Sequence, residues 1–504
     1  MPLQVSLGRR LTDLAGAQPD ATAIIFYPHE GDAREISFGS LESHSNRIAR
    51  ELAHRGVGAE SLVAVGLPDE PLAITIWFAA WKLGACVLPI SARLPARERE
   101  ALLATAAQFR APVTVGRWSD GRPPDVHAGG LLDLTGRSED PLPDVVPEPG
   151  TAIGSGGTSG TPKITVNDGP LALGLDDDGQ VIQAPLLTAM NVAPGQVHLV
   201  CTPMYHTNGF GAAYGGLILG DPIVLFEKFD APRIVEAIER HRINQFIVVP
   251  AVLQRLAEVD GIEDRDLSSL VAVGYGGAPC PEWVTRKWIE LIGAEHLFHG
   301  YGATESIGKT ALRGDEWLER PGSCGRPIQS EVRILDEDGN ELPPGEIGEV
   351  FMRPTGADKP VFRYVGADYK QVTPDGFVSL GDYGRLDEDG FLYIADRRSD
   401  LIITGGANVY PAEVESAVSE HPAVADVAVI GLPDDRWGRR VHAVIQLHAG
   451  LAEPDAGELD AWCRERLAPY KCPKTYEFVQ ALPRTAVGKL SRTRLLEDRV
   501  PVVA

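Results

Sequence analysis

The chain has 504 residues and carries 47 basic against 70 acidic side chains, a formal net charge of −23 at pH 7. This acidic balance argues against binding to nucleic acid or to an anionic membrane surface. The length exceeds that of one ordinary domain and predicts at least two. None of the six cysteines stands in a C-x-x-C pair, which indicates neither a zinc site nor a disulfide framework and favours a reducing, cytoplasmic location.

The sequence shows no membrane-spanning segment. Residues 1–10 lack the apolar core of a signal peptide, and the most apolar stretch, 72–90, is interrupted by Lys82, Gly84 and Pro89. A spanning helix needs about 20 predominantly apolar residues. We therefore expect no integral membrane segment.

Short apolar runs alternate with amphipathic segments along most of the chain, which predicts an α/β fold. Predicted helices lie near Leu11, over 72–83, after residue 249 through Leu256, and over 283–292. Predicted strands cover 62–67, 86–90, 246–249, 271–273 and 296–298. Residues 119–150 are rich in Pro, Gly and Asp and predict an irregular connection.

After Asp400 the alternation restarts on a smaller scale. Helices are predicted over 412–420 and 458–467, and strands over 424–430, 441–447 and 476–479. Together these segments predict a compact α+β unit of ordinary domain size.

A glycine- and hydroxyl-rich segment, GSGGTSGTPK, occupies 154–163. Glycines let backbone N–H groups converge on an anion, hydroxyls add donors, and Lys163 adds a point charge, so the segment is suited to grip phosphate. It is not a Walker P-loop, because Thr161 and Pro162 separate the last glycine from the lysine. Taken alone, it is equally consistent with a flexible surface linker.

Four further stretches decide between these interpretations. They are YGATE at 301–305, SLGD at 379–382, DRRSD at 396–400 running into GGANVYPAEVE at 405–415, and PRTAVGK at 483–489. With the glycine-rich segment, and in this order, they resemble the adenylate-forming superfamily of acyl-CoA synthetases, luciferases and peptide-synthetase adenylation domains. The resemblance covers nearly the whole chain, from near Leu11 to about Leu496.

The resemblance implies a large N-terminal multi-subdomain α/β domain at 1–398 and a small mobile α+β C-terminal domain at 399–504. Relatives usually carry Asp or Lys at the hinge between the two, where this chain has Ser399. Serine can absorb a backbone rotation, so a hinge is still expected there.

The resemblance also assigns residues to ATP and coenzyme A. Phosphate contacts are expected from the glycine-rich segment, adenine contacts from a Gly-Ala pair after a strand, ribose contacts from an Asp and an Arg, and pantetheine contacts from a second glycine pair. These residues are Ser155, Gly156, Gly157, Thr158, Ser159, Gly160 and Lys163; Gly277, Ala278 and Tyr301; Asp382 and Arg397; and Gly405 and Gly406.

Each of these assignments has a plain structural alternative. The segment after residue 275 could be only a tight turn, Asp382 could be a turn aspartate, and Arg397 could form a surface ion pair with Asp396 or Asp400.

Three residues are predicted to act on the phosphates. By resemblance Thr304 hydrogen-bonds the α-phosphate, Glu305 binds Mg²⁺, and Lys489 lies between the substrate carboxylate and the α-phosphate. A compact ammonium suits that position better than a guanidinium, and its role would be electrostatic. Alternatively, Thr304 and Glu305 form a helix N-cap pair, and Lys489 is a solvated loop lysine.

The segment YHTNGF at 205–210 carries His206, which we place at the gate of the acyl pocket. A lone histidine is usually only a hydrogen-bonded polar residue. Four glycines nearby, at 209, 211, 215 and 216, are expected to leave room for a bulky acid. These details resemble bile-acid, steroid and fatty acyl-CoA ligases.

The resemblance implies a two-step reaction with ATP, Mg²⁺ and coenzyme A. A carboxylate attacks the α-phosphate to give an acyl-adenylate, and the coenzyme A thiol then takes the acyl group. An amide-forming synthetase that uses an amine is the first alternative, and a catalytically silent nucleotide-binding homologue the second. The partner is a small-molecule carboxylic acid, and the sequence leaves the acid and any homodimer open.

Overall fold

The computed structural model describes residues 3–156, 162–369, 371–397, 400–404, 407–434, 437–484 and 490–499. The helices are α1 (Leu7–Ala17), α2 (Phe38–His54), α3 (Pro71–Lys82), α4 (Ala96–Ala106), α5 (Pro185–Ala189), α6 (Thr207–Leu219), α7 (Ala231–His241), α8 (Pro250–Ala257), α9 (Glu282–Ile292), α10 (Gly314–Glu319), α11 (Pro411–Ser419), α12 (Ala456–Arg466) and α13 (Arg492–Glu497).

The strands are β1 (Leu3–Ser6), β2 (Thr22–Tyr27), β3 (Arg34–Ser37), β4 (Leu62–Leu67), β5 (Cys86–Ser91), β6 (Pro112–Gly116), β7 (Val126–His127), β8 (Ala152–Gly156), β9 (Pro162–Asn167), β10 (Ala172–Leu175), β11 (His198–Val200), β12 (Ile223–Phe226), β13 (Gln245–Val248), β14 (Ala272–Gly276), β15 (Leu297–Gly302), β16 (Lys309–Arg313), β17 (Arg326–Pro327), β18 (Ser330–Leu335), β19 (Gly348–Pro354), β20 (Phe362–Val365), β21 (Gln371–Val372), β22 (Val378–Leu386), β23 (Leu392–Arg397), β24 (Ile402–Thr404), β25 (Ala407–Val409), β26 (Val424–Asp434), β27 (Gly438–Leu447) and β28 (Thr475–Val479).

The largest sheet has nine strands in the order β17-β16-β15-β14-β13-β11-β12-β2-β3. Its central strands, from β15 to β2, run parallel. Helices α6 to α9 connect successive parallel strands, as the alternation of apolar runs and amphipathic segments predicted. This arrangement brings the carboxyl ends of β13, β14 and β15 to one edge of the sheet.

Helices cover both faces of this sheet. Neighbouring residues of one strand, Leu199 and Val200, belong to different buried clusters, because alternate side chains of a strand point to opposite faces. One cluster contains Trp77 and the other Trp288, and both indoles are buried. The sheet therefore lies between two apolar cores.

Four smaller sheets complete the part before residue 398. Strands β1 and β10 form a two-stranded antiparallel sheet, and the other three are larger. Strands β5-β4-β6-β7 form a parallel sheet, β20-β9-β8 form an antiparallel one, and β18-β19-β22-β21 form another, with β23 added on β22. The segment 119–150 contains only the short β7 and one turn of 3-10 helix, which confirms the predicted irregular connection.

The C-terminal elements form the α+β unit predicted from sequence. The sheet order is β25-β24-β27-β26, with β28 parallel to β27, and α11 and α12 pack on it around Val414, Val441 and Cys463. Strands β26 and β27 are longer than predicted because they continue toward each other as one hairpin ladder. In the described part of the chain, no helix is long and apolar enough to cross a bilayer.

Candidate active site

A cavity of about 1970 Å³ opens at the carboxyl ends of the parallel strands and continues between α6 and the nine-stranded sheet. The edge formed by β14 and β15 is built from glycine. A Cβ at Gly276 would lie 2.4 Å from the Gly300 carbonyl oxygen, so the two strands approach too closely there for any side chain. Open α/β sheets bind ligands at this edge.

The predicted adenine segment lies at this edge. Gly277 follows β14 with a φ of +81°, a backbone conformation that favours glycine, and it lines the cavity. The structure thus has the tight turn that the plain alternative predicts, and it places that turn on the cavity wall. Ala278 follows in sequence but does not line the cavity.

Glu305, Lys163 and Tyr364 form a cluster on the cavity wall. Tyr364 donates a hydrogen bond of 2.6 Å to Glu305 Oε1, and Lys163 Nζ lies 3.2 Å from the same oxygen. The ammonium also lies 4.1 Å from the centre of the Tyr364 ring. Glu305 is buried, whereas a quarter of the Lys163 side chain is exposed. The buried carboxylate is therefore satisfied by an ion pair and a hydrogen bond.

Strand register explains how Lys163 meets Tyr364. In the β9–β20 ladder Tyr364 lies opposite Thr165, two residues beyond Lys163 on the same face, and such diagonal neighbours come within reach of long side chains. Burial and the nearby Glu305 carboxylate raise the pKa of Tyr364, so its hydroxyl stays protonated and donates. Lys163 lies in strand β9, which the glycine-rich sequence of 154–163 did not predict.

The cluster fits the magnesium role predicted for Glu305. Both contacts use Oε1, so Oε2 is not engaged by either partner. Within the described ranges no three His, Cys, Asp or Glu side chains form a metal-binding group. Magnesium is commonly held by one or two carboxylates together with substrate phosphates, and one buried carboxylate on a nucleotide-sized cavity meets that requirement.

Thr304 lines the cavity next to the first residue of α6. Its hydroxyl is 2.7 Å from that of Thr207, the first residue of α6. Thr304 and Glu305 lie in a turn completed by Ser306 at a φ of +53°, so the alternative interpretation of the pair as a helix N-cap is wrong. His206 precedes α6, lines the cavity, and has its ring 4.4 Å from that of Tyr205.

Of the predicted ribose pair, Asp382 and Arg397, Asp382 lies behind the cavity wall and contacts a residue on it. Tyr301 lines the cavity and donates a hydrogen bond to Asp382 Oδ2, whereas Asp382 is buried behind it and does not line the cavity. Asp382 lies in strand β22, not in the turn that the plain alternative requires, and the backbone of Arg397 in β23 lies opposite it. The structure brings these backbones together, and Asp382 reaches the cavity through Tyr301.

Several predicted residues lie outside the described residues. They are Gly157, Thr158, Ser159, Gly160, Ser399, Gly405, Gly406 and Lys489. The backbones of Ser155 and Gly156 lie in β8, where Ser155 is opposite Lys163. Arg484 and Leu490, which flank the segment containing Lys489, pair with each other, and Arg484 lines the cavity.

The glycines of α6 have two different roles. At Gly211 and Gly215 an added Cβ would meet no atom within 4 Å, and both line the cavity, as expected for a roomy acyl pocket. At Gly209 a Cβ would lie 2.3 Å from the Pro203 carbonyl oxygen, and at Gly216 it would lie 2.9 Å from the His198 ring. The expectation that all four leave room for substrate is therefore wrong, because Gly209 and Gly216 allow close packing instead.

Sequence reasoning missed two residues on the cavity wall, Tyr364 and Asp69. Asp69 accepts a hydrogen bond of 2.9 Å from the backbone N–H of Met204, and burial raises its pKa to about 7. Its position directly after the parallel strand β4 was a usable signal, since carboxyl ends of such strands carry ligand contacts. Tyr364 had no local signal, because its contact with Glu305 depends on strand pairing.

Comparison with protein-family models agrees with this geometry. The model described as AMP-binding enzyme matches residues 11–128 and 151–357, and that of its C-terminal domain matches 413–489. The chain belongs to the AMP-binding enzyme family. This confirms the resemblance to adenylate-forming enzymes and the fold class derived from it.

Members of the AMP-binding family match this chain over nearly its full length. A 2-succinylbenzoate–CoA ligase from Bacillus licheniformis is 30% identical, over 96% of this chain and 98% of that protein. A feruloyl-CoA synthase from an Amycolatopsis species is 32% identical over 94% and 95%. The structure of an o-succinylbenzoate CoA synthetase from Bacillus subtilis with its acyl-adenylate intermediate superposes with a TM-score of 0.80, at 27% identity and 98% coverage of both chains.

Proposed function

We propose that the protein is an ATP-dependent acid–thiol ligase that activates a hydrophobic carboxylic acid as its acyl-adenylate and transfers the acyl group to coenzyme A. The observation that supports it best is the Glu305–Lys163–Tyr364 cluster, which shares one cavity with the glycine-lined side of α6. A phosphate-facing charge cluster and an apolar pocket in one cavity suit a reaction between ATP and an apolar acid. Two relatives that match over nearly the full length are named as a CoA ligase and a CoA synthase.

In the first half-reaction the acid's carboxylate attacks the α-phosphorus of ATP and pyrophosphate leaves. Lys163 would exchange its contact with Glu305 for a phosphate oxygen, and Glu305 would then hold Mg²⁺, which would supply positive charge to the phosphates. Thr304 presents its hydroxyl beside Thr207, at the junction of the nucleotide and acyl ends. Lys489 is proposed to orient the attacking carboxylate and stabilise the pentacoordinate phosphorus.

In the second half-reaction the thiol of coenzyme A attacks the acyl carbon and AMP leaves. A mixed anhydride with AMP is a good acylating agent, so the protein mainly has to position the thiol. We propose that residues 399–504 rotate as a unit about Ser399, withdraw Lys489, and bring Gly405 and Gly406 to the pantetheine arm. Glycine is suited to pack backbone against that narrow arm because it has no Cβ.

The acid is proposed to be an aryl or fatty acid. Most small-molecule pockets measure roughly 300–1,000 Å³, and this cavity, at about 1970 Å³, has room for a nucleotide and a bulky acid together. Besides Gly211 and Gly215, the cavity lining includes Leu219 of α6 and Ile247 of β13, which favours an apolar acyl group.

A panel of aryl, medium-chain and long-chain acids tests this function by the release of AMP, with coenzyme A, a small amine or neither present. We expect at least one acid to give AMP release that coenzyme A accelerates and the amine does not. Gly406→Leu should then retain acid-dependent pyrophosphate exchange and lose transfer to coenzyme A. Acceleration by the amine alone, unchanged in Gly406→Leu, would identify an amide-forming synthetase instead.

A further inference from the structure

A buried polar chain, formed by the hydrogen-bonded side chains of Gln245, His198 and Asp221, lies at the acyl end of the cavity. Gln245 and His198 are the first residues of β13 and β11, they lie opposite each other, and both line the cavity. Gln245 pairs with Ala272, four residues before Gly276 at the nucleotide edge. At about 3.3 Å per strand residue, the polar chain lies about 13 Å below that edge.

The hydrogen bonds determine which group donates and which accepts at each step of this polar chain. Asp221 Oδ2 lies 3.0 Å from His198 Nε2, and Asp221 Oδ1 accepts a hydrogen bond of 2.6 Å from the Gly195 N–H. Because a carboxylate only accepts, His198 Nε2 donates to Asp221, and in the neutral ring this leaves Nδ1 as an acceptor. The Gln245 amide nitrogen contacts Nδ1, so it is the donor. The Gln245 carbonyl oxygen Oε1 is then the free end of the chain.

The Gln245 Oε1 oxygen lies in largely apolar surroundings. Oε1 accepts no hydrogen bond from the described residues, and it is not among their enclosed unpaired atoms, so it faces the cavity. Gln245, His198 and Asp221 are each less than a tenth exposed. The neighbouring wall is largely apolar, with Met190 and Leu219 from one buried cluster beside it. An acid that displaces water from this oxygen without donating to it leaves the acceptor unpaired, which costs free energy, whereas an acid with a donor replaces the bond.

We propose that the Gln245 carbonyl oxygen selects acids that carry a hydrogen-bond donor, a hydroxyl group, near the end of the acyl chain farthest from the carboxylate. The proposal rests on the proposed function, since it concerns the acid that the ligase activates. A second carboxylate at this position would face an acceptor oxygen with Asp221 behind it, so the site disfavours diacids. A hydroxyl group bound there would lie about 13 Å from the nucleotide edge, so the site also selects the length of the acyl chain.

The test compares two substrate series in pyrophosphate exchange, straight-chain acids and their ω-hydroxy counterparts of equal length. We expect wild-type kcat/KM to favour the ω-hydroxy acid by about tenfold to a hundredfold at one length, the range for pairing a buried polar group. Gln245→Met keeps the side chain's length and removes the acceptor. It should abolish the preference while retaining activity on the unsubstituted acid. Gln254→Met is the matched control and should keep the preference, because the Gln254 side-chain amide lies on α8 and donates to Glu258.

Binding separates this inference from the proposed function. If neither series supports exchange, calorimetric titration of wild type with the ω-hydroxy acids still measures the contact, and Gln245→Met should weaken it about tenfold or more. Equal use and equal binding of both series by wild type at every length would overturn the inference. So would a preference that survives in Gln245→Met, provided that its melting temperature shows a folded protein.

Discussion

Replacing Glu305 by Gln keeps the shape of the side chain and removes its charge. Tyr364 can still donate to the amide oxygen, but Lys163 loses its counter-ion. Because the lysine is a quarter exposed, we expect a loss of only about 1–3 kcal/mol in the free energy of unfolding, less than for a fully buried pair. The protein should therefore fold, and the effect on metal binding can be measured separately.

A neutral amide binds a hard cation poorly, so Glu305→Gln should raise the magnesium concentration at half-maximal rate by at least about tenfold. The assay is acid-dependent pyrophosphate exchange at fixed ATP, titrated with magnesium. Glu331→Gln is the control for the loss of one negative charge, because Glu331 is more exposed than Glu305 and forms its ion pair with Arg353 on the β18–β19 ladder. A magnesium curve for Glu305→Gln that overlies the wild-type curve would refute the assignment.

Four further variants test other parts of the site. Lys489→Ala should slow adenylate formation by at least about a hundredfold while transfer from synthetic acyl-adenylate persists; equal loss in both half-reactions would contradict its role. Gly215→Ala should raise the melting temperature and lower kcat/KM for bulky acids, whereas Gly209→Ala should destabilise the fold against Pro203, and similar melting shifts for both would be inconsistent with their packing. Burial raises the pKa of Asp69 to about 7, so the folded state holds its proton more tightly than the unfolded chain, and stability is lost as pH rises from about 4 to 7. Asp69→Asn should remove that loss, on the order of 2–4 kcal/mol at pH 8, in urea unfolding at pH 5 and pH 8; parallel losses in both proteins would exclude it.

Local sequence patterns predicted most elements of the fold. The run at 62–67 is strand β4 with the same bounds, and the helix predicted over 283–292 is α9 with one more residue. Period and turn residues are local properties, so they carry this information. The pattern was less reliable for Lys163, because strand β9 forms only by pairing with β8 and β20.

Contacts within the site depended on register and packing that no local pattern contains. Tyr364 meets Glu305 because β20 pairs with β9, and Gln245 meets His198 because β13 pairs with β11. Gly209 looks like Gly211 in the sequence, and only the position of Pro203 shows that it serves packing. The chemistry of single residues could be predicted from the sequence, but their partners could not.

Acid-dependent exchange of labelled pyrophosphate into ATP tests the central claim most directly. Exchange requires reversible formation of an acyl-adenylate, so it should appear with ATP, Mg²⁺ and a suitable hydrophobic acid, without coenzyme A, and stop when the acid is left out. ATP cleavage to ADP, or pyrophosphate exchange that does not depend on any acid across the aryl and fatty series, would contradict adenylation of a carboxylic acid as the reaction of this site.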